Sequence, residues 1–281
     1  MDGILVVNKE KDYTSRDVVN IVSKKLGTKK VGHTGTLDPI ATGVLVLCVG
    51  KALKIVEDLM EHDKEYIATF ILGYETDTLD ITGKILYTKD ISVSKEDIIN
   101  VLKTYIGKQK QEVPKYSAIK VNGKKLYEYA RNNIDVKLPI KDINIYNIEL
   151  LNYNPSAKEV VIKCLVSKGT YIRSLIRDIG RSLNSYATMT NLQRTKVGNF
   201  SIDNSYTLEM IENDNFKLLK VEDVLPYEKV YVEDELLNKI KNGCILKPFF
   251  KNDKALIMDK NNNLIAIYKK DKDVVKVHKM F

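Results

Sequence analysis

Short apolar runs alternate along this chain with segments of helical period. Residues 4–7 form an apolar run that predicts a buried strand. Thr14 and Asp17 then have capping-box spacing, ahead of Val18, Ile21, Val22 and Leu26, the apolar stripe of a first helix. Residues 44–49 read as a second buried strand and residues 51–59 as a short helix. Residues 64–72 alternate, with Tyr66, Ala68, Phe70 and Leu72 on one face and Ile67, Thr69 and Ile71 on the other. Apolar side chains on both faces predict a strand near a sheet centre. Ser94 and Asp97 cap a further helix whose stripe is Ile98, Leu102 and Ile106. Strands follow at residues 144–150 and 160–166, and a helix resumes near Tyr171 with the stripe Leu175, Ile179 and Leu183.

From Tyr227 the texture changes. One short helix, residues 234–241, precedes apolar runs at 255–258, 264–268 and 274–277, separated by Asp and Asn turns. That pattern predicts a small β-rich module, residues 227–281, after a main domain of residues 1–226. Strands and helices mix without repeated βαβ spacing, so the main domain is expected to be α+β. A chain cut near Pro226 is expected to keep its chemistry, provided that few contacts cross the boundary.

Charge narrows the partners. The 281 residues carry 45 Lys plus Arg against 37 Asp plus Glu, a formal charge of +8, which favours a polyanion. Residues 108–131 are rich in Lys and Tyr and read either as a projecting arm against a phosphate backbone or as a solvated helical hairpin. The cysteines, Cys48, Cys164 and Cys244, are scattered and odd in number, which fits neither a disulfide framework nor a zinc site; Cys48 and Cys164 sit in apolar runs and read as buried thiols in a reducing cytosol. His33, His62 and His278 are equally dispersed. With no basic leader and no long apolar segment, the expectation is a cytoplasmic protein, neither exported nor membrane-spanning.

The segment Gly32-His33-Thr34-Gly35-Thr36-Leu37-Asp38-Pro39-Ile40-Ala41-Thr42-Gly43 is the strongest candidate for chemistry. Its Gly and Pro residues exclude a regular helix, and the buried strand that follows can hold it rigid. Asp38 is either a reactive carboxylate or a simple cap of the turn at Pro39. Tyr171 and Arg173 stand where a strand gives way to a helix, a place suited to holding an anion; an unengaged surface arginine is the alternative. Gly50-Lys51 lacks the hydroxyl and the glycine spacing of a phosphate loop. Glu75, Asp77 and Asp80 have no calcium-loop spacing and fit a turn network as well as a metal site.

Taken in order, these segments resemble the bacterial tRNA pseudouridine-55 synthase family (TruB-type). The loop G-H-T-G-x-L-D-P-x-A-T-G is complete at residues 32–43. Lys64 and Tyr66 match K-x-Y, residues 74–83 the acidic segment, residues 116–131 Y-S-A-x-K-x-x-G-x-x-x-Y-x-x-A-R, and residues 169–173 G-T-Y-I-R. Glu10 and Asp12 depart from the pattern, standing where the family has Pro and Gly. The resemblance implies a pseudouridine-synthase fold: a mixed, largely antiparallel sheet flanked by helices, with a PUA-like C-terminal module. It implies Asp38 as the nucleophile, Tyr66 as the tyrosine that stacks on the flipped base, and Arg173 as the partner of Asp38. His33, Tyr171 and Leu192 would line the nucleotide site, while Lys9, Lys115, Lys120 and Lys124 would contact RNA. The implied substrate is tRNA, held at the T-arm and elbow and, through the C-terminal module, towards the acceptor end. No cofactor, metal, DNA or membrane is implied, and a monomer is expected. Whether Asp38 attacks C1′ or the pyrimidine ring stays open.

Three other functions compete with this one, of which a carboxylate-dependent nucleoside hydrolase would need a positioned water and a second acid, and no clear pair is visible. A non-catalytic RNA-binding or assembly protein would share the charge, but a carboxylate facing a phosphate backbone costs such a protein affinity. A related synthase acting on guided RNA targets would share the motifs; the compact length argues against it.

Overall fold

The computed structural model describes residues Met1–Phe281. Strands are β1 (Gly3–Lys9), β2 (Val31–His33), β3 (Thr42–Val49), β4 (Lys64–Leu72), β5 (Tyr74–Thr76), β6 (Ile85–Thr88), β7 (Gly107–Glu112), β8 (Lys120–Val121), β9 (Lys124–Lys125), β10 (Ile140–Asn154), β11 (Glu159–Val166), β12 (Ala187–Val197), β13 (Phe200–Ser201), β14 (Glu228–Tyr231), β15 (Lys254–Met258), β16 (Leu264–Asp271) and β17 (Val274–Met280). The helices are α1 (Ser15–Lys25), α2 (Val56–Met60, after a 3₁₀ turn at Gly50–Ile55), α3 (Lys95–Thr104), α4 (Leu126–Arg131), α5 (Ile172–Ser182), α6 (Leu208–Glu212), α7 (Val221–Val224) and α8 (Asp234–Lys241).

The main sheet runs β1-β3-β12-β4-β11-β10-β7, with β2 beside β3 and β13 beside β12. Only the β3–β12 contact along that path is parallel, so the sheet is mixed and largely antiparallel, an α+β arrangement. As the alternation predicts, β4 is central, and Tyr66, Ala68, Phe70 and Leu72 are its buried face. One apolar cluster joins that face to Val18 and Val22 of α1, Ile98 and Leu102 of α3, and Leu175, Ile176 and Ile179 of α5. Both predicted capping boxes form, Thr14 with Asp17 and Ser94 with Asp97.

Polar sequence hides two strands. In β12 the buried positions include Thr188 and Arg194, and two bulges break its alternation against β4. In β7, Gly107–Glu112, the sequence is almost wholly polar because the strand forms a sheet edge. Residues 108–112 of the expected arm therefore belong to the sheet, and the projecting part begins beyond Val113 with the β8–β9 hairpin and α4. Ile106 lies outside α3, which ends at Thr104, and is exposed.

The C-terminal strands form a separate sheet, β14-β15-β16-β17. Yet the boundary near Pro226 is not sparse, as a clean cut there requires. Leu256, Met258 and Ile267 share an apolar cluster with Ile4, Val6, Val44 and Val46 on the second face of the main sheet. A polar cluster seals this junction: Asp58 of α2 accepts from Lys254 Nζ at 2.6 Å and from the Tyr227 hydroxyl at 3.0 Å, with His278 Nε2 at 3.5 Å. The small module closes one apolar cluster of its own, around Ile240, Ile257 and Tyr268, and lays its other face on the main sheet.

Burial alone pushes the Asp58 carboxyl up, but hydrogen bonding and charge from Lys254 win and hold it below the usual carboxylate range. Burial and the Lys254 ammonium hold His278 below its ordinary value. Both depressed values mean that the unfolded chain takes up protons first as pH falls. The His278 part of the stability is thus lost below about pH 6.5 and the Asp58 part below about pH 4. Denaturant titrations should show stability falling from pH 7 to pH 4, and His278→Gln should flatten the upper part of that slope. Asp58→Ala, which strands the Lys254 ammonium, should cost about 3 kcal/mol at pH 7.

Candidate active site

Asp38 sits on the loop between β2 and β3, and its neighbours are tied down from several directions. The Ser15 hydroxyl, at the start of α1, donates to Leu37 O at 3.1 Å and accepts from Leu37 N at 2.8 Å. Lys9 Nζ donates to the Glu10, Tyr13 and Pro39 carbonyls. Lys9 is wholly buried, and burial pushes its pKa down to about 8. It therefore supports the turn and does not face RNA. Asp12, where the family pattern has Gly, adopts φ 69°, a left-handed conformation that Asp tolerates better than most side chains.

The Asp38 carboxylate does not cap its own turn. Its Oδ2 lies 2.9 Å from Nε of Arg173, whose side chain is buried while that of Asp38 keeps about a third of its surface open (8% and 35% exposed). The remaining guanidinium nitrogens donate to Thr78 O at 3.0 Å and Tyr116 O at 3.2 Å, and Asp80 Oδ2 stands 3.6 Å away. One planar fork thus joins the Asp38 loop, the turn after β5 and the base of the Lys-rich arm. Arg173 is engaged with the chain's own carboxylate, so the anion suggested at this helix start is Asp38.

The sequence reading missed the company Arg173 keeps. Arg177 and Arg181 follow at helical spacing on α5 and pair with Glu112 of β7 at 3.1 Å and Glu75 of β5 at 2.8 Å. The repeat of Arg at every fourth residue was visible in the sequence; the carboxylates it meets come from distant segments. Glu75 and Asp80 are therefore arginine partners, and Asp80 Oδ1 also accepts from Thr78 and Thr82 in a closed turn network. Helix α5 can approach the sheet this closely because of Gly180, where a Cβ would lie 2.6 Å from that of Ala187.

The other expected site residues come from several elements. Tyr66 and Leu192 are buried on one face of adjacent strands, Leu192 opposite Ala68, in the cluster that also holds Leu37, Ile40 and Ile172. Tyr171 caps α5, and its hydroxyl is harder to ionise, chiefly through burial, with Ser117 and Arg173 opposing and Asp38 adding to the effect. Lys141 lies over the Tyr171 ring at 5.8 Å. His33 ends β2 and is kept neutral mainly by burial, helped by Arg16 and Arg194. Lys115, Lys120 and Lys124 are exposed on the arm, away from the buried residues, and Lys115 stands 3.9 Å from Asp135.

Gln111 of β7 carries no sequence signal of its own, yet it grips the Tyr171 backbone at both ends. Its Oε1 accepts from Tyr171 N at 2.8 Å and its Nε2 donates to Tyr171 O at 3.1 Å. Gln111→Leu should leave Tyr171 N without its partner, while Tyr171 O keeps Leu175 N at 3.0 Å, and lower stability by about 1–3 kcal/mol, measured by urea unfolding.

Comparison with known proteins places these residues in a family. Residues 23–172 match the TruB family pseudouridylate synthase N-terminal domain, and residues 173–231 match the tRNA pseudouridylate synthase B C-terminal domain. The tRNA pseudouridine synthase B of Fusobacterium nucleatum is 48% identical, with 96% of this chain and 99% of that protein covered. That of Acholeplasma laidlawii is 38% identical over the whole of both chains. Among solved structures, a chain of a Cbf5–Nop10–Gar1 complex superposes with a TM-score of 0.72 at 25% identity, covering 99% of this chain and 84% of that one. A chain of an H/ACA ribonucleoprotein bound to a substrate RNA containing 2′-deoxyuridine gives the same TM-score of 0.72 and identity of 25%, again covering 99% of this chain and 84% of that one. With the Asp38 loop and the start of α5 both inside the matched region, the chain belongs to the TruB family of pseudouridylate synthases.

Proposed function

We propose that this chain converts uridine to pseudouridine at position 55 in the T-loop of tRNA. The observation that carries the reading is the 2.9 Å pair between Arg173 and a partly exposed Asp38, a carboxylate fixed and aimed while still reachable. The reaction breaks the bond from C1′ to N1 of uracil, forms one from C1′ to C5, and moves a proton from C5 to N1, with no net redox change. A carboxylate oxygen suits it, because it adds to the sugar or the base and leaves again. The target uridine must leave its stacked loop, and the Tyr66 ring, with Leu192 beside it, offers an apolar face that offsets part of the lost stacking. Tyr171 packs under the same nucleotide. Identity of 38–48% to tRNA pseudouridine synthases, against 25% to a chain of an H/ACA ribonucleoprotein, favours tRNA as the substrate.

In this reading, residues 227–281 extend the contact along the tRNA towards its acceptor end. The exposed Lys115, Lys120 and Lys124 meet the phosphate backbone, since they stand on the arm whose base is tied to Arg173 through the Tyr116 carbonyl.

Incubation with an unmodified tRNA transcript, followed by mapping of pseudouridine, tests the activity directly. Asp38→Asn should bind tRNA with nearly unchanged affinity and form no product. A variant rate within tenfold of the parent, roughly 1.4 kcal/mol of barrier, overturns the assignment of Asp38. Replacing Lys115, Lys120 and Lys124 together by Ala should lower the slope of log affinity against log salt by about 2, as each phosphate contact contributes about 0.7–0.9. An unchanged slope places the RNA elsewhere.

A further inference from the structure

We propose that Arg194 is a positioning residue for the reaction: it holds the peptide backbone on either side of Asp38, while Arg173 holds the carboxylate. This inference rests on the functional reading above. Arg194 lies on β12 opposite Tyr66 of β4 and is 2% exposed. Its Nη2 donates to Gly35 O at 3.0 Å, its Nη1 to Thr36 O at 3.4 Å and its Nε to Val44 O at 2.8 Å. The first two carbonyls precede Asp38 and the third follows it, so one rigid fork closes the two ends of the loop. None of the ion pairs in the protein includes Arg194. A buried guanidinium with carbonyl dipoles as its only partners is costly to keep, and a fold that needed only filling here would use an apolar side chain.

A second contact points the same way and does not involve the guanidinium. Strand β12 runs parallel to β3 at this point, with Arg194 opposite Gly43. Gly43 has φ +99°, and a Cβ there would stand 2.2 Å from the Arg194 carbonyl oxygen. The far end of the loop is therefore pressed directly onto the Arg194 peptide, which is why only glycine fits. Between these anchors the turn closes through Ala41 N donating to Asp38 O at 3.0 Å. The position of Asp38 is thus set by β12 through the backbone and by α5 through the carboxylate. Reacting groups tolerate little displacement: an error of about 1 Å far from the chemistry can cost about 100-fold in rate.

The test compares Arg194→Lys, which keeps the charge and loses the fork, with Gly43→Ala, which disturbs the same anchor from the loop side. For each, single-turnover pseudouridine formation at saturating tRNA, tRNA affinity and amide hydrogen exchange are measured beside the parent. The proposal expects rates lower by about 100-fold, affinities within about threefold, and faster exchange confined to residues 34–43. A folded Arg194→Lys protein that reacts within threefold of the parent overturns it, as does a loss carried by affinity alone. If the Lys variant does not fold, Gly43→Ala decides by the same criteria. If neither folds, Arg194 is a folding determinant and the positioning role is wrong. A parent protein that makes no pseudouridine fails the functional reading instead, and the exchange pattern still decides whether Arg194 clamps the loop.

Discussion

The pair between Arg173 and Asp38 sets the terms for the rest of the site. A carboxylate that must add to a substrate and leave again has to stay ionised, accessible and fixed, and these demands conflict. Burial would neutralise it, and exposure would leave it mobile. Here the guanidinium is buried and about a third of the carboxylate side chain is open, so the charge partner is held fixed while Asp38 stays reachable. Arg173 can play that part because its other nitrogens are fixed on the Thr78 and Tyr116 carbonyls. Arg177 and Arg181 then lock the helix that carries it against Glu112 and Glu75.

The fold supplies rigidity where the chemistry needs it. Strands β4 and β12 occupy the middle of the sheet, and the apolar face they share packs on α1, α3 and α5. Tyr66 and Leu192 project from that face, and the Asp38 loop closes over the same cluster through Leu37 and Ile40. Tyr66 and Leu192 therefore stand in the packed core, which holds their rotamers. The exposed lysines, by contrast, lie on the arm beyond Val113, where solvent-facing charge serves attraction more than precision.

The C-terminal sheet shows how a small module is kept in place. Its apolar residues complete the second face of the main sheet, and Asp58, Lys254, Tyr227 and His278 form a polar seal at the seam. Its strands are distinct from the main sheet, but its core is partly shared, so a boundary read from composition near Pro226 marks a change of sheet more than an independent folding unit.

Local pattern determined much of this protein. Capping boxes, the alternation of residues 64–72 and the apolar runs after Tyr227 predict elements whose energetics are local, and these form where expected. The loop at residues 32–43 marks Asp38, and the resemblance to a synthase family adds Tyr66 and Arg173 from the K-x-Y and G-T-Y-I-R segments. Tertiary structure alone decided what the polar residues do. Strands β7 and β12 carry polar side chains at buried positions because their partners, the Tyr171 peptide and the Asp38 loop, come from far along the chain. Periodicity registers apolar burial; it is blind to a guanidinium or an amide buried on distant carbonyls. Lys9 shows the same limit, since its motif suggested contact with RNA and its burial makes it a brace for the turn. Sequence pattern determined which segments fold and marked Asp38 as the candidate carboxylate, and only long-range packing decided which buried charges hold it.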